Sequence, residues 1–439
     1  MSGPQIAISI PAVYSQRRAK LAQLMGRGVA VVPTACERLR NRDAHYPYRY
    51  DSYFYYLTGF TEPEAVLLLI AGAQPKSILY CRERDAEREI WDGFRCGSEQ
   101  ARDKFGFDES HPIGELDAQM PQWLADQPRL YCHMGAESRW DGRVLEWLNA
   151  VRAQARGGVT APTAIHDVRA LLDEMRLIKD AHELATMRRA ARISTGAHQR
   201  AMRAARPGRA EYEIEAELLH EFRRHGAQAP AYTPIVAGGA NACVLHYVQN
   251  DALLKAGDLL LIDAGCELDG YASDITRTFP VSGRFSAVQR DVYQMVLAAQ
   301  AAAIAAVRPG VAWNAPHDAA VRVLAQGLID FGLCQGSVDK VIEGGDYKRF
   351  YMHRTGHWLG LDVHDAGDYK RDKQWRALEP GMVLTVEPGC YIRAGDGVPP
   401  QYSDIGIRIE DDVLVTASGN EVLTRAAPTA AADIEALMR

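Results

Sequence analysis

The sequence predicts an α+β protein in two parts: a smaller mixed α/β domain over residues 1–175 and a larger layered α+β domain over residues 176–439. Three observations predict it. At 439 residues the chain exceeds what one ordinary hydrophobic core holds. The first 160 residues alternate short apolar segments with polar helical ones, the pattern of a small mixed sheet. Beyond about residue 180, long helical stretches flank strand pairs rich in Ile, Val, Thr and Tyr.

In the first part, residues 29–33, 53–57, 65–70 and 77–81 read as strands. Arg156-Gly157-Gly158 through Pro162 is a loop. A helical stretch from His166, with Leu171, Leu172, Met175 and Ile178 on one side, carries the chain across the boundary near residue 175. Asp180, with Glu183 three residues on, forms a capping box that opens a long helix running to Arg206-Pro207-Gly208. The run 296–307 is Ala-rich, interrupted by Gln300 and ended by Arg308-Pro309-Gly310, so it reads as a buried helix rather than a membrane span.

The strands of the second part end in carboxylates. Leu259-Leu260-Leu261-Ile262 runs into Asp263, and 271–281 forms a second strand beyond a turn at 267–270. With Leu268 and Asp269 as a two-residue loop, Asp274 falls opposite Asp263 with Cβ atoms roughly 4.5 to 5.5 Å apart. A bulge at Gly270 would shift that register by one. In 405–410 the isoleucines occupy one face while Arg408 and Glu410 share the other. The strand 383–387 is stopped by Pro388-Gly389 directly after Glu387, which puts this glutamate at a strand end. Taken singly, each is an ordinary solvated carboxylate. The segment 353–365, however, packs His353, His357 and His364 beside Gly356 and Gly360, a density that signals a site. If Asp263, Asp274, His357, Glu387 and Glu410 meet, the four carboxylates form six like-charge pairs, each costing about 4 kcal/mol at 4 Å and an effective dielectric near 20. Two divalent cations would neutralise them, and so hard an oxygen-rich set points to a two-metal hydrolytic site.

These segments, with Asp263-Ala264-Gly265-Cys266, Ser273 through Pro280, Glu379-Pro380-Gly381-Met382 and Arg408-Ile409-Glu410, closely resemble the aminopeptidase P (Xaa-Pro aminopeptidase) branch of the pita-bread metallopeptidases. In the first part, Arg42-Asp43, Tyr46-Pro47-Tyr48-Arg49, Phe54 through Phe60 and Glu62-Pro63-Glu64-Ala65 resemble the accessory, creatinase-like domain of that family, so the likeness spans nearly the whole chain. The resemblance implies a pita-bread catalytic domain over 176–439 that removes the first residue from peptides with proline second. It implies Asp263 on one ion, Asp274 and Glu410 bridging, and His357 with Glu387 on the second. The metal would be manganese, with cobalt or zinc as alternatives. His246, His353 and His364 match the family's catalytic and substrate-facing histidines, and Arg408 its arginine beside a bridging glutamate; His246 by itself reads as a strand histidine without a role. Glu387 would accept a proton from a metal-activated water, whose pKa falls from 15.7 toward about 7, and pass it to the leaving proline nitrogen. His364 would face the oxyanion. Tyr391 and Trp91, the latter in Glu89-Ile90-Trp91-Asp92-Gly93, complete the substrate-binding candidates. An arginine facing the substrate is expected in the loop 368–376, on Arg371 or Arg376. A dedicated enzyme makes physical sense here, because an Xaa-Pro bond has no N–H and a fixed φ that defeat ordinary proteases.

Composition excludes other classes. A net charge of −6 with dispersed basic residues leaves no nucleic-acid footprint. The eight cysteines, Cys36, Cys81, Cys96, Cys132, Cys243, Cys266, Cys334 and Cys390, show no CxxC pair and read as reduced thiols of a cytoplasmic protein. No secretory leader or 18-residue apolar run is found, so membrane partners are not expected. Self-association as a homodimer or homotetramer is expected. A prolidase acting on Xaa-Pro dipeptides only, metal-free creatinase-type chemistry, and an inactive pita-bread binding protein stand as alternatives.

Overall fold

The computed structural model describes residues 10–395 and 397–439, and the chain divides into two compact units, 1–175 and 176–439. The first is built on a six-stranded mixed sheet. Its strands run in the spatial order Glu109–Pro112, Lys76–Cys81, Val66–Ala71, Gly28–Pro33, Arg129–Cys132 and Ala164–Asp167. The three central strands pair antiparallel, and the others add in parallel at the edges. Val29, Val31, Val66, Leu68 and Ile78 pack from the sheet onto Trp140, Trp147 and Leu148 of the helix Ser138–Arg152.

Two sequence expectations fail in this unit. Residues 53–57 are not a strand but lie in the helix Ser52–Thr58. Its aromatic residues favour strands by propensity, yet the Asp51 carboxylate takes the Phe54 N–H at 2.8 Å and Gly59 closes the other end with φ 65°. His166 does not start a helix either; it belongs to the edge strand Ala164–Asp167, and the helix is Arg169–Leu177.

In the second unit two helix pairs each precede a three-stranded antiparallel sheet. Ala181–Ala204 and Glu211–Arg224 come before Ile235–Gly238, Leu259–Asp263 and Thr276–Pro280; Ala287–Ala306 and Ala315–Asp330 come before Val383–Val386, Asp411–Thr416 and Gly419–Val422. The predicted capping box opens the first helix: Asp180 accepts from the N–H groups of His182 and Glu183, and Glu183 accepts from that of Asp180. One apolar core runs through both layers, including Leu260, Ile262, Phe279, Val296, Leu384 and Ile407. Among the described residues no helix is long and apolar enough to cross a membrane.

The turn before Asp274 falls one residue later than expected. Leu268 pairs with Tyr271, and Asp269 (φ 50°) with Gly270 (φ 82°) forms the loop, both residues in the left-handed region that a type I′ turn requires. Asp263 therefore lies opposite Thr276, not Asp274. The slip is two positions in pairing, so both aspartates keep the same face, now as diagonal neighbours.

Candidate metal centre and its cleft

A cleft of about 640 Å³ in the second unit is lined by Asp263, Asp274, His357, Glu387 and Glu410, together with Arg408, His246, His353, His364 and Tyr232. Each donor is held by its own element. Asp263 ends the strand Leu259–Asp263, and Glu387 follows Val383–Val386 with its N–H on the Thr355 carbonyl at 2.8 Å. Glu410 lies just past Ile405–Arg408, its N–H on Thr276 O at 3.0 Å and its Oε2 accepting the Thr276 hydroxyl at 2.6 Å. The polar face of 405–410 is thus no solvated edge, since Arg408 and Glu410 are both buried. Asp274 occupies the break between Tyr271–Ala272 and Thr276–Pro280, where Gly265 lets the strands close; a Cβ there would lie 1.7 Å from Ser273 O.

The imidazole of His357 stands among these acids, with Nε2 3.4 Å from Asp274 and 3.8 Å from Glu387. Its other nitrogen lies 2.9 Å from Trp358 O, which assigns the hydrogen to Nδ1 and leaves Nε2 to face the carboxylates. Burial works against the charged ring, but the hydrogen bond to Asp274 and the charge of Glu387 prevail and push its pKa up to about 9. Burial raises the carboxyls: Glu387 is pushed up to about 7 and Glu410 well above its ordinary range, the neighbouring acids adding to the effect, and Asp274 also rises although its hydrogen bond to His357 opposes this. Ligand atoms of Asp274, His357 and Glu410 lie within 4.8 Å of one another. A buried, hard donor set whose acids resist ionising side by side fits divalent cations.

Around this cluster Arg408 donates to Asp263 Oδ2 at 2.5 Å, to the Thr276 hydroxyl at 3.1 Å and to the Tyr391 hydroxyl at 3.0 Å, which also meets His353 Nε2 at 2.8 Å. Tyr391 is itself buried, so its hydroxyl reaches the cleft only through those two side chains. His364 crosses His357 edge-on with ring centres 4.4 Å apart. His246 sits in an exposed turn after a short 3₁₀ segment, not in a strand, because the chain bends away after Cys243. Trp91 lies in the first unit on the short helix Ala86–Asp92 and is 84% exposed.

Several lining residues escape sequence reasoning. The Tyr232 hydroxyl donates to Asp263 at 2.6 Å and lies against Asp274 as well, and an isolated tyrosine in a loop carries no local signal. Neither arginine of the 368–376 loop lines the cleft: Arg376 is buried against Glu379 and Arg371 is exposed in a small hairpin. Arg354, beside the histidine run, lines it instead.

Residues 185–417 match the model of metallopeptidase family M24, and residues 14–131 match that of the aminopeptidase P N-terminal domain. The chain is 48% identical to the Xaa-Pro aminopeptidase of Haemophilus influenzae, covering 97% of this chain and 96% of that one. Its fold superimposes on Pseudomonas aeruginosa aminopeptidase PepP with a TM-score of 0.96 at 50% identity over 99% of both chains. It also superimposes on Escherichia coli aminopeptidase P with the inhibitor Pro-Leu, with a TM-score of 0.95 at 45% identity over 98% of each. Fold and site together define a metallopeptidase, and the layered second unit is its pita-bread domain. The chain belongs to metallopeptidase family M24, in the aminopeptidase P branch.

Proposed function

We propose that this chain is an Xaa-Pro aminopeptidase, a hydrolase that removes the first residue from peptides with proline in second position. The observation that carries the reading is the convergence of four carboxylates and one imidazole in a single buried cleft, in a chain so close to Xaa-Pro aminopeptidases. Asp263, Asp274, His357, Glu387 and Glu410 would hold two divalent ions, manganese ahead of cobalt or zinc. When bound, such ions supply Lewis-acid polarisation and an acidified water. Glu387, which lines the cleft beside His357, would accept a proton from the water that adds to the scissile carbonyl carbon and return it to the proline nitrogen as the C–N bond breaks. His364 and His246 face the substrate in the cleft. His353 stays uncharged near neutral pH, since burial lowers it to about 4, and so offers the substrate a neutral imidazole. The inhibitor Pro-Leu of the Escherichia coli relative begins with the proline that such a cleavage would liberate, which supports the same substrate class here.

The first unit would serve as the accessory domain. Its exposed Ile90, Trp91 and Phe94 support self-association as a homodimer or homotetramer, and the eight free thiols support a cytoplasmic location. The test compares Xaa-Pro-Xaa tripeptides with Gly-Pro, with and without a chelator. Tripeptide turnover that is lost on chelation and restored by manganese is expected; turnover of the dipeptide alone would make the enzyme a prolidase.

A further inference from the structure

We propose that the buried cations Arg176 and Lys179 are positioning residues for catalysis, fixing His364 in the cleft through Asp362 and Asp365, the two carboxylates that bracket it. The inference rests on the aminopeptidase reading. Both cationic side chains are only 1% exposed. Arg176 Nη2 is shared between Asp362 Oδ2 at 2.7 Å and Asp365 Oδ1 at 2.6 Å, and Lys179 Nζ holds the second oxygen of Asp365 at 2.8 Å. Val363 and His364, the two residues inside this bracket, both line the cleft.

The rest of the loop is tied down in the same sense. The Asp365 N–H returns to Trp358 O at 2.9 Å, and the Gly360 N–H donates to Asp362 O at 3.2 Å. A Cβ on Gly360 would lie 2.2 Å from Asp365 Oδ2, so the glycine is what allows the loop to close over its own anchor. At the other end His357 is fixed by Thr385, with His357 N–H on its hydroxyl at 3.1 Å and Thr385 N–H on His357 O at 2.9 Å. The loop 358–365 therefore spans from one imidazole to the other, and the cation pair sets where the second one stands. Buried ion pairs of this kind add little net stability against an apolar alternative. What they supply is geometry, because one nitrogen bridging two carboxylates leaves the enclosed residue few positions, and preorganised groups lower a barrier more than mobile ones.

The test is a double-mutant cycle on the metal-loaded full chain with an Xaa-Pro-Xaa peptide. Asp362 is 44% exposed, so D362N keeps the fold. It should lower kcat by about ten- to a hundredfold while KM, metal content and Tm stay near wild type. In an H364A background the same change should cost nothing further, because the residue it positions is gone. R176K, which keeps the charge as a single point donor, should resemble D362N. Wild-type kcat in D362N, or losses that multiply with H364A, overturns the clamp whether or not R176K folds. A wild type that turns over Gly-Pro alone overturns the aminopeptidase reading instead, and the same cycle then decides the clamp on the dipeptide.

Discussion

Burial and like charge act together on Glu387, whose carboxyl is pushed up to about 7 with Asp274 and Asp263 nearby. Replacing it with glutamine removes one of the mutually repelling acids as well as the proton carrier. E387Q should therefore lower kcat/KM by about 10²- to 10⁴-fold and at the same time raise the Tm of the chelator-treated protein, both readable on one preparation. A second buried group gives a pH signature away from the cleft. His198 is fully buried, its Nε2 on Ala264 O at 2.9 Å, and burial lowers its pKa to about 4. An unfolded chain has histidine near 6.5, so between those values the unfolded state binds the extra proton. The stability due to neutral His198 is then complete above pH 6.5 and is lost as pH falls toward 4, roughly 2 kcal/mol by pH 5 relative to pH 7.5. Urea unfolding across that range should show a shallower slope for H198Q. At this scale the carboxylates of Asp263, Glu387 and Glu410, which the structure gathers in one cleft, stood out in the sequence because each is bounded by its own strand end or turn. Tyr232 and Thr276 were not, since one hydroxyl in a polar stretch looks like any other until its carboxylate partner is in place.

Elements bring the donors together only because two glycines permit close backbone contact. A Cβ on Gly265 would lie 1.7 Å from Ser273 O, and one on Gly356 would lie 2.0 Å from Thr385 O. Since the obstacle in each case is backbone, G265A should cost about 3 kcal/mol and part the strands that carry Asp263 and Asp274. G419A, with no atom within 4 Å of the new methyl, should stay within about 0.5 kcal/mol. Denaturant midpoints of the two variants check this. The capping box at Asp180 and the strand stop at Pro388 were readable for the same reason that makes them effective: their partners lie three or four residues away. The helix Ser52–Thr58 was misread because aromatic propensity outweighed its caps, Asp51 and Gly59, and the hairpin register slipped because Asp269 could sit inside or outside the turn.

Over the whole molecule the cost of assembling the site falls on folding. Residues 263, 274, 357, 387 and 410 come from separate elements, and burial raises the carboxyls of Asp274, Glu387 and Glu410 even with Tyr232, His357 and Arg408 beside them. Metal removal should lower Tm, and manganese at a hundred times its Kd should restore about 2.7 kcal/mol by mass action, seen as a concentration-dependent rise in a thermal melt. Should the chelated protein melt where the metal-loaded one does, the cluster is not the cation site.

From the sequence alone one could read the chemistry available: which acids end strands, where the histidines crowd, where the long helix after Asp180 begins, and that a single core does not suffice. Those properties follow from side-chain period, caps and turn preferences, all carried by near neighbours along the chain. Packing in three dimensions settles the rest: Arg408 is buried on Asp263, Tyr232 stands between two aspartates, Arg354 rather than Arg376 lines the cleft, and Arg176 reaches the loop of His364. Such meetings depend on how faces far apart in sequence pack, and no local preference encodes the partner that packing will bring.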